Sequence, residues 1–186
     1  MTEVRRIALV TDFGSGSPYV GQVMLRLAEL APDTERIDLI SDLPPFRADL
    51  AAYLVPALAR DVPDDTLFLC VVDPGVGGER AAVAMEADGR WYLGPDNGLL
   101  SAVAKRASQT SLMRITWRPE RLSKSFHGRD LFCPLAAILA RREIPESASL
   151  DIRALEGFDW PNDLPSVVYV DGYGNLITGV RASDMG

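Results

Sequence analysis

Short apolar runs that alternate with amphipathic segments constrain the fold of this chain most strongly. Residues 7–10 and 67–72 are apolar runs without polar alternation, as expected of strands buried on both faces. Residues 36–40 form another strand candidate, and residues 19–31 and 48–60 carry apolar side chains at helical spacing. The order strand, helix, strand, helix, strand predicts an α/β fold, a mainly parallel sheet with helices on both faces.

Residues 81–142 are predicted to extend this architecture. Asp88-Gly89 is a strong turn signal and predicts a hairpin between strands over 81–86 and 91–93. The other predicted elements are a helix over 99–107, a strand over 112–117, and a helix over 129–142 with Pro134 in its first turn.

A change of composition near residue 144 divides the predicted α/β domain, residues 1–143, from the C-terminal part of the chain. Residues 144–165 are rich in Pro, Asp, Glu and Ser with little periodicity, which predicts a linker. Residues 166–186 open with a new strand. About twenty residues cannot enclose a second core, so we expect only the start of a truncated C-terminal β domain.

Charge and cysteine content limit the partners. The net charge of −7, with scattered basic residues, argues against a nucleic-acid partner. Cys70 and Cys133 lie in apolar runs and are predicted to be buried, and with a single histidine they leave few ligands for a metal. There is neither a signal-peptide pattern nor an apolar run of membrane-spanning length, so a cytoplasmic protein without membrane contact is expected.

Two acidic residues come directly after predicted buried strands and should meet at the carboxyl edge of the sheet, where ligands of such sheets bind. Asp12 opens a loop with Gly14 and Gly16, but the spacing matches neither a P-loop nor a dinucleotide loop. A carboxylate that binds a ribose diol and a helix-capping loop both remain open for this segment.

The second acidic residue, Asp73, is followed by Pro74 and three glycines within four residues. Such a loop allows a ligand to approach the backbone closely. Arg80 is expected to pair with Asp73. A ligand-binding loop is favoured over a structural turn with a surface ion pair.

The only histidine, His127, lies before Gly128, Arg129 and Asp130 at the start of a predicted helix. A helix N-terminus lowers the pKa of a histidine and favours the neutral base. We therefore favour a catalytic over a structural histidine, in one small-molecule site with the two aspartates. The segment 94–98 is predicted to be a turn in which Asp96 or Asn97 caps the next helix.

Five segments, taken in order, resemble the S-adenosylmethionine hydroxide adenosyltransferase family, hydrolytic relatives of fluorinase and chlorinase. They are residues 11–14 with 19–21, 71–77 with Arg80, 94–99, 126–130 and 171–178. The resemblance implies hydrolysis of S-adenosyl-L-methionine to adenosine and L-methionine, by attack of water or hydroxide on the ribose C5′, without a cofactor or metal.

The resemblance also implies roles for individual residues and an assembly. Asp73, Arg80 and His127 match the residues that activate water. Asp12 matches the carboxylate that binds the ribose diol, and Phe46 matches an aromatic wall beside the ribose. In the second domain, Tyr173 and Asn175 match adenine contacts and Asp171 matches a contact to the methionine ammonium. The family implies a homotrimer in which the site lies between subunits.

Two departures from the family pattern keep alternatives open. Ser17 stands where relatives usually carry Asp, and Ser41 stands where they carry His. One alternative is a non-catalytic adenosine-binding, S-adenosylmethionine-binding or assembly protein of the same fold. A halogenase is a weaker alternative, since halide transfer needs a dry anion pocket and not a base. The remaining alternative is a structural α/β domain whose motifs are turns.

Overall fold

A seven-stranded mixed sheet organises residues 3–182, the part of the chain described by the computed structural model. Its strands, in chain order, are β1 (Arg6–Thr11), β2 (Glu35–Ile40), β3 (Thr66–Val71), β4 (Ala82–Ala87), β5 (Arg90–Pro95), β6 (Thr110–Ile115) and β7 (Ser147–Ser149). In the order β2-β1-β3-β5-β4-β6-β7, the first four strands are parallel and the pairs that include β4, β6 and β7 are antiparallel.

Helices cover both faces of the sheet, which confirms the predicted fold class. They are α1 (Pro18–Leu30), α2 (Ala48–Ala59), α3 (Ser101–Arg106) and α4 (Cys133–Ala140). Ile7 and Leu9 of β1 pack in the cluster that contains α1 and α4, whereas Ala8 and Val10 pack in the cluster that contains α2 and α3. Since successive side chains of a strand point to opposite faces, double-sided burial explains the continuous apolar run.

The hairpin predicted from Asp88-Gly89 is present, but the starts of two helices differ from the sequence-based predictions. Asp88 and Gly89 both have positive φ, as expected of the turn that joins β4 to β5. The helix predicted from residue 129 begins as a π-helical turn, Gly128–Phe132, and becomes α-helical only at Cys133. Pro134 lies in the first turn of α4, as predicted.

The prediction that Asp96 or Asn97 caps α3 was wrong, because Leu100 is the N-cap residue and no side chain caps this helix. Asn97 instead joins neighbouring strand ends. Its Nδ2 donates to the carbonyl of Val72 at 2.8 Å, and its Oδ1 accepts from the backbone N–H of Leu99 at 3.3 Å.

The segment predicted as a linker, residues 144–165, is largely folded against the α/β core. It contains β7, which completes the sheet, and the 3₁₀ turn Ile152–Ala154. Leu155 is buried, and the ring of Trp160 fills the space that a side chain at Gly98 would need. Composition alone does not indicate this packing, since polar connecting residues can still be held by a few apolar anchors.

A two-stranded antiparallel sheet comes next, formed by β8 (Leu164–Val170) and β9 (Leu176–Gly179). Val168 of this sheet packs against Tyr53 of α2. The predicted C-terminal β segment extends to residue 186, and its last four residues, 183–186, lie outside the described residues. Cys70 and Cys133 are free and buried, as predicted. Across residues 3–182, no helix has the length and apolarity needed to cross a bilayer.

Candidate active site

A cavity of about 490 Å³ lies at the carboxyl edge of the sheet, beside the ends of β1 and β3. These two strands are parallel neighbours, so the residues that come after them, Asp12 and Asp73, reach the same place. The residues that line the cavity are Asp12, Phe13, Tyr19, Gln22, Phe46, Val71, Asp73, Val76, Ser123, Ser125, Phe126, His127, Gly128 and Arg129. The three residues expected to converge, Asp12, Asp73 and His127, all line it.

Arg80 joins Asp73 to His127. Its Nε donates to Asp73 Oδ1 at 2.9 Å, and its Nη2 lies against both Asp73 Oδ2 and, at 2.8 Å, His127 Nδ1. The side chains of Asp73 and Arg80 are only 5% and 11% exposed, so water screens this ion pair weakly. The expected pairing of Arg80 with Asp73 is confirmed.

The contact with Arg80 selects one tautomer of His127. A guanidinium has donors and no acceptor, so His127 Nδ1 accepts the hydrogen bond and the neutral ring carries its proton on Nε2. Burial and then the charge of Arg80 lower the pKa of His127 below its usual value. The direction agrees with the sequence-based expectation, but burial and Arg80 are the main causes, in place of the predicted helix N-terminus.

Asp12 lies on another wall of the cavity and is held by the backbone of Phe46. Asp12 Oδ2 accepts from the Phe46 N–H at 2.8 Å. Burial raises the pKa of Asp12, and the nearby Asp73 adds to the rise. Phe46 has a φ of 62°, which is strained for a residue with a side chain, and it is 73% exposed. The strained backbone thus presents an exposed ring beside a partly buried carboxylate.

Three aromatic side chains form a wall that the sequence did not predict. Phe13, Tyr19 and Phe126 pack edge to face, with ring centroids 5.3 to 6.3 Å apart. A Cβ at Gly128 would lie 3.0 Å from the Phe13 ring and 3.3 Å from the Phe126 ring, so a larger residue beside His127 would require these rings to shift by a few tenths of an ångström. The rings come from three separate segments, and no local pattern indicates that they meet.

Arg129 and Asp130, which the sequence placed with His127, form a different group. Arg129 makes a two-point ion pair with Asp130, donates to Gln22 Oε1 at 2.9 Å and stacks over Phe126. Asp130 also accepts from the backbone N–H of Ser123. Gln22, Ser123 and Arg129 of this group line the cavity, whereas the partner of His127 is Arg80.

Asp171, Tyr173 and Asn175 lie in the turn between β8 and β9. Asp171 Oδ1 accepts from the backbone N–H groups of Tyr173 and Asn175, each at 2.9 Å. Tyr173 is 95% exposed. Among the described residues, those that line the cavity do not include these three. One copy of the chain therefore brings together five of the eight residues predicted for the site, counting Arg80 through its contacts.

The two residues that depart from the family pattern have local structural partners. Ser17 is the N-cap of α1, where its side chain accepts from the Tyr19 N–H at 3.2 Å. Ser41 donates to Asp38 Oδ2 at 3.2 Å. Within the described part of the chain, no three His, Cys, Asp or Glu side chains are grouped in a way that could hold a metal ion.

The fold and site define an α/β protein with a buried Asp-Arg-His group and a second carboxylate at the carboxyl edge of its sheet. Residues 7–149 match the family model described as the SAM hydroxide adenosyltransferase N-terminal domain, and the chain belongs to this family.

Curated relatives support the assignment. An (R)-S-adenosyl-L-methionine hydrolase of Thermus thermophilus is 36% identical over 98% of this chain and 77% of the relative. A protein of the same name from Methanocaldococcus jannaschii is 29% identical over 96% of this chain and 68% of the relative. The crystal structure of an uncharacterized conserved protein from Thermotoga maritima, 32% identical, matches with a TM-score of 0.83 over 92% of this chain and 70% of that one.

Proposed function

We propose that this protein hydrolyses S-adenosyl-L-methionine to adenosine and L-methionine, with the (R) epimer at sulfur as its substrate. The observation that carries the proposal is the contact of Arg80 with both Asp73 and His127 at a cavity that also holds Asp12. The names of the curated relatives supply the substrate and its epimer.

The reaction needs little acid catalysis from the protein. Water or hydroxide attacks C5′ of the ribose, the C5′–S bond breaks, and methionine leaves with the bonding electrons as a neutral thioether. One proton is released for each turnover. A sulfonium is already a good leaving group, so the protein must chiefly hold the nucleophile in line with the C–S bond and exclude other water.

The tautomer of His127 suggests how the nucleophile is held. With Nδ1 engaged by Arg80, the free ring nitrogen, Nε2, is an N–H donor. A donor and a nearby guanidinium stabilise an oxygen that gains negative charge as it loses its proton. In this proposal Asp73 fixes Arg80, and Arg80 with His127 favours hydroxide over neutral water.

The substrate-binding roles divide between two parts of the chain. In the proposal, Asp12 accepts hydrogen bonds from the ribose diol and Phe46 covers the ribose. Tyr173 and Asn175 contact adenine, and Asp171 contacts the methionine ammonium. The β8–β9 turn lies apart from the residues that line the cavity of its own chain, which supports supply of these three residues by a neighbouring subunit. We propose a homotrimer in the cytoplasm with its sites between subunits.

The inter-subunit site can be tested by mixing two inactive variants. Asp12→Ala removes the ribose contact from one copy, and Tyr173→Ala removes the adenine contact from another. After co-refolding, mixed trimers contain sites with both residues intact, so activity should return. A chain that is monomeric by light scattering, or a mixture as inactive as its parts, contradicts the shared site.

Product analysis tests the reaction itself. Wild-type protein is incubated with an epimer mixture of S-adenosylmethionine, and adenosine and methionine are separated by chromatography. We expect equimolar products, consumption limited to the (R) fraction, and loss of activity in His127→Ala. Adenosine at the level of the protein-free control refutes the proposal. If adenosine binding persists without turnover, the protein is a nucleoside-binding member of the family, and a 5′-halo-adenosine formed in added chloride identifies a halogenase.

A further inference from the structure

The guanidinium that links Asp73 to His127 lies over the ring of Phe132. The Cζ of Arg80 lies 5.3 Å from the centroid of the Phe132 ring, and Phe132 is completely buried. The hydrogen bonds of Arg80 to its two partners run from the edge of the guanidinium, through Nε and Nη2. A cation over an aromatic face is attracted to it, so the ring adds a contact to those that the hydrogen bonds of Arg80 make.

The π-helical turn explains how His127 and Phe132 reach the same guanidinium. His127 is the N-cap residue of this turn, and Phe132 is its last residue, five positions later. In an α-helix, residues five apart differ by about 140° around the axis and face different sides. A π turn closes hydrogen bonds between residues five apart, as the Cys133 N–H does with the Gly128 carbonyl, and so brings such residues nearer to one side.

We propose that Phe132 is a positioning residue that holds the Arg80 guanidinium in the plane where Nη2 reaches Asp73 and His127 together. Without the ring, the guanidinium can tilt or take up water in the space that the ring now fills. The contact between Nη2 and His127 Nδ1 is then made only part of the time. The role of Phe132 can be tested by NMR and by kinetics, and only the kinetic test rests on the proposed hydrolase function.

The single histidine of the chain makes the proposal measurable without any substrate. The charged groups that act on His127 are Arg80, Asp73, Arg118 and Asp130. Of these, Arg80 is the one in direct contact with the ring, at Nδ1. Both the pKa of His127 and the nitrogen that carries its proton therefore report whether Arg80 stays in place, and NMR reads both from one imidazole.

The central variant is Phe132→Leu, which keeps an apolar side chain and removes the ring. We expect the pKa of His127 to rise, and the proton of the neutral ring to distribute over both nitrogens instead of Nε2 alone. Phe132→Tyr retains the ring face and should keep the wild-type tautomer. Phe68→Leu is the matched control, because Phe68 is equally buried but stacks on Tyr92 in the other core cluster, so it should leave His127 unchanged.

The kinetic expectation for Phe132→Leu is a kcat about tenfold lower with KM changed by less than about twofold, because the nucleophile and not substrate binding is affected. A folded Phe132→Leu protein with the wild-type pKa and tautomer overturns the proposal. So does a raised pKa with an unchanged tautomer, which would assign the effect to added water. If Phe132→Leu does not fold, Phe132→Met carries the same test.

A wild-type protein without hydrolase activity would refute the proposed function, whereas the NMR comparison would still decide the role of Phe132.

Discussion

Replacing Arg80 with methionine should destabilise the protein strongly, since it leaves the Asp73 carboxylate without its partner in a site from which water is largely excluded. The Asp73 side chain is 5% exposed, and both its oxygens contact Arg80. Removing one member of a buried ion pair costs about 3–5 kcal/mol, whereas an exposed pair contributes about 0–1 kcal/mol. The expected loss for Arg80→Met is therefore about 3 kcal/mol or more in the free energy of unfolding.

Urea denaturation followed by tryptophan fluorescence measures this loss. Arg47→Met is the matched control, because Arg47 makes the same two-point contact with Asp49 but both side chains are about half exposed. The double variant Asp73→Asn with Arg80→Met should be more stable than Arg80→Met alone, since it no longer buries an unpaired charge. An Arg80→Met loss no larger than that of Arg47→Met would refute the argument that burial makes this pair important.

Three other perturbations probe the site and the loops around it. Because the pKa of His127 is lowered in the folded protein, the unfolded chain takes up a proton at a higher pH than the folded chain does. The free energy of unfolding should therefore fall as pH drops below about 6.5. Urea titrations of His127→Asn should show a free energy of unfolding that changes less with pH. Asp12→Asn should raise KM for S-adenosylmethionine about tenfold or more in steady-state assays, because a charged acceptor for the ribose is lost. Gly77→Ala should be about 2 kcal/mol less stable than Gly16→Ala in thermal unfolding. Both glycines have positive φ, but of the two only Gly77 is placed so that a Cβ would meet a backbone atom, the Lys124 carbonyl oxygen.

The sequence predicted those features that depend on neighbouring residues in the chain. Local sequence pattern predicts the strands buried on both faces, the helices between them and the Asp88-Gly89 turn. The structure contains each of these features. The meeting of Asp12 with Asp73 was also predictable, because two parallel strands that end at the same edge bring their next residues together.

Features that depend on packing between distant segments were not predictable in this way. Arg80 contacts His127 across 47 positions of sequence, and it lies over the ring of Phe132 at the end of a π turn. A propensity scale does not distinguish a π turn from an α turn over five residues. Trp160 likewise fixes a segment whose composition indicates a linker, by packing on Gly98.

Isotope-labelled water tests the central claim most directly. In water enriched in oxygen-18, attack on C5′ places one labelled atom in the 5′-hydroxyl of adenosine and none in methionine. We predict this labelling at every turnover of the wild-type protein, with none above the protein-free control in His127→Ala. Adenosine that carries no label, or label recovered in methionine, would contradict attack of water at the ribose carbon in this site.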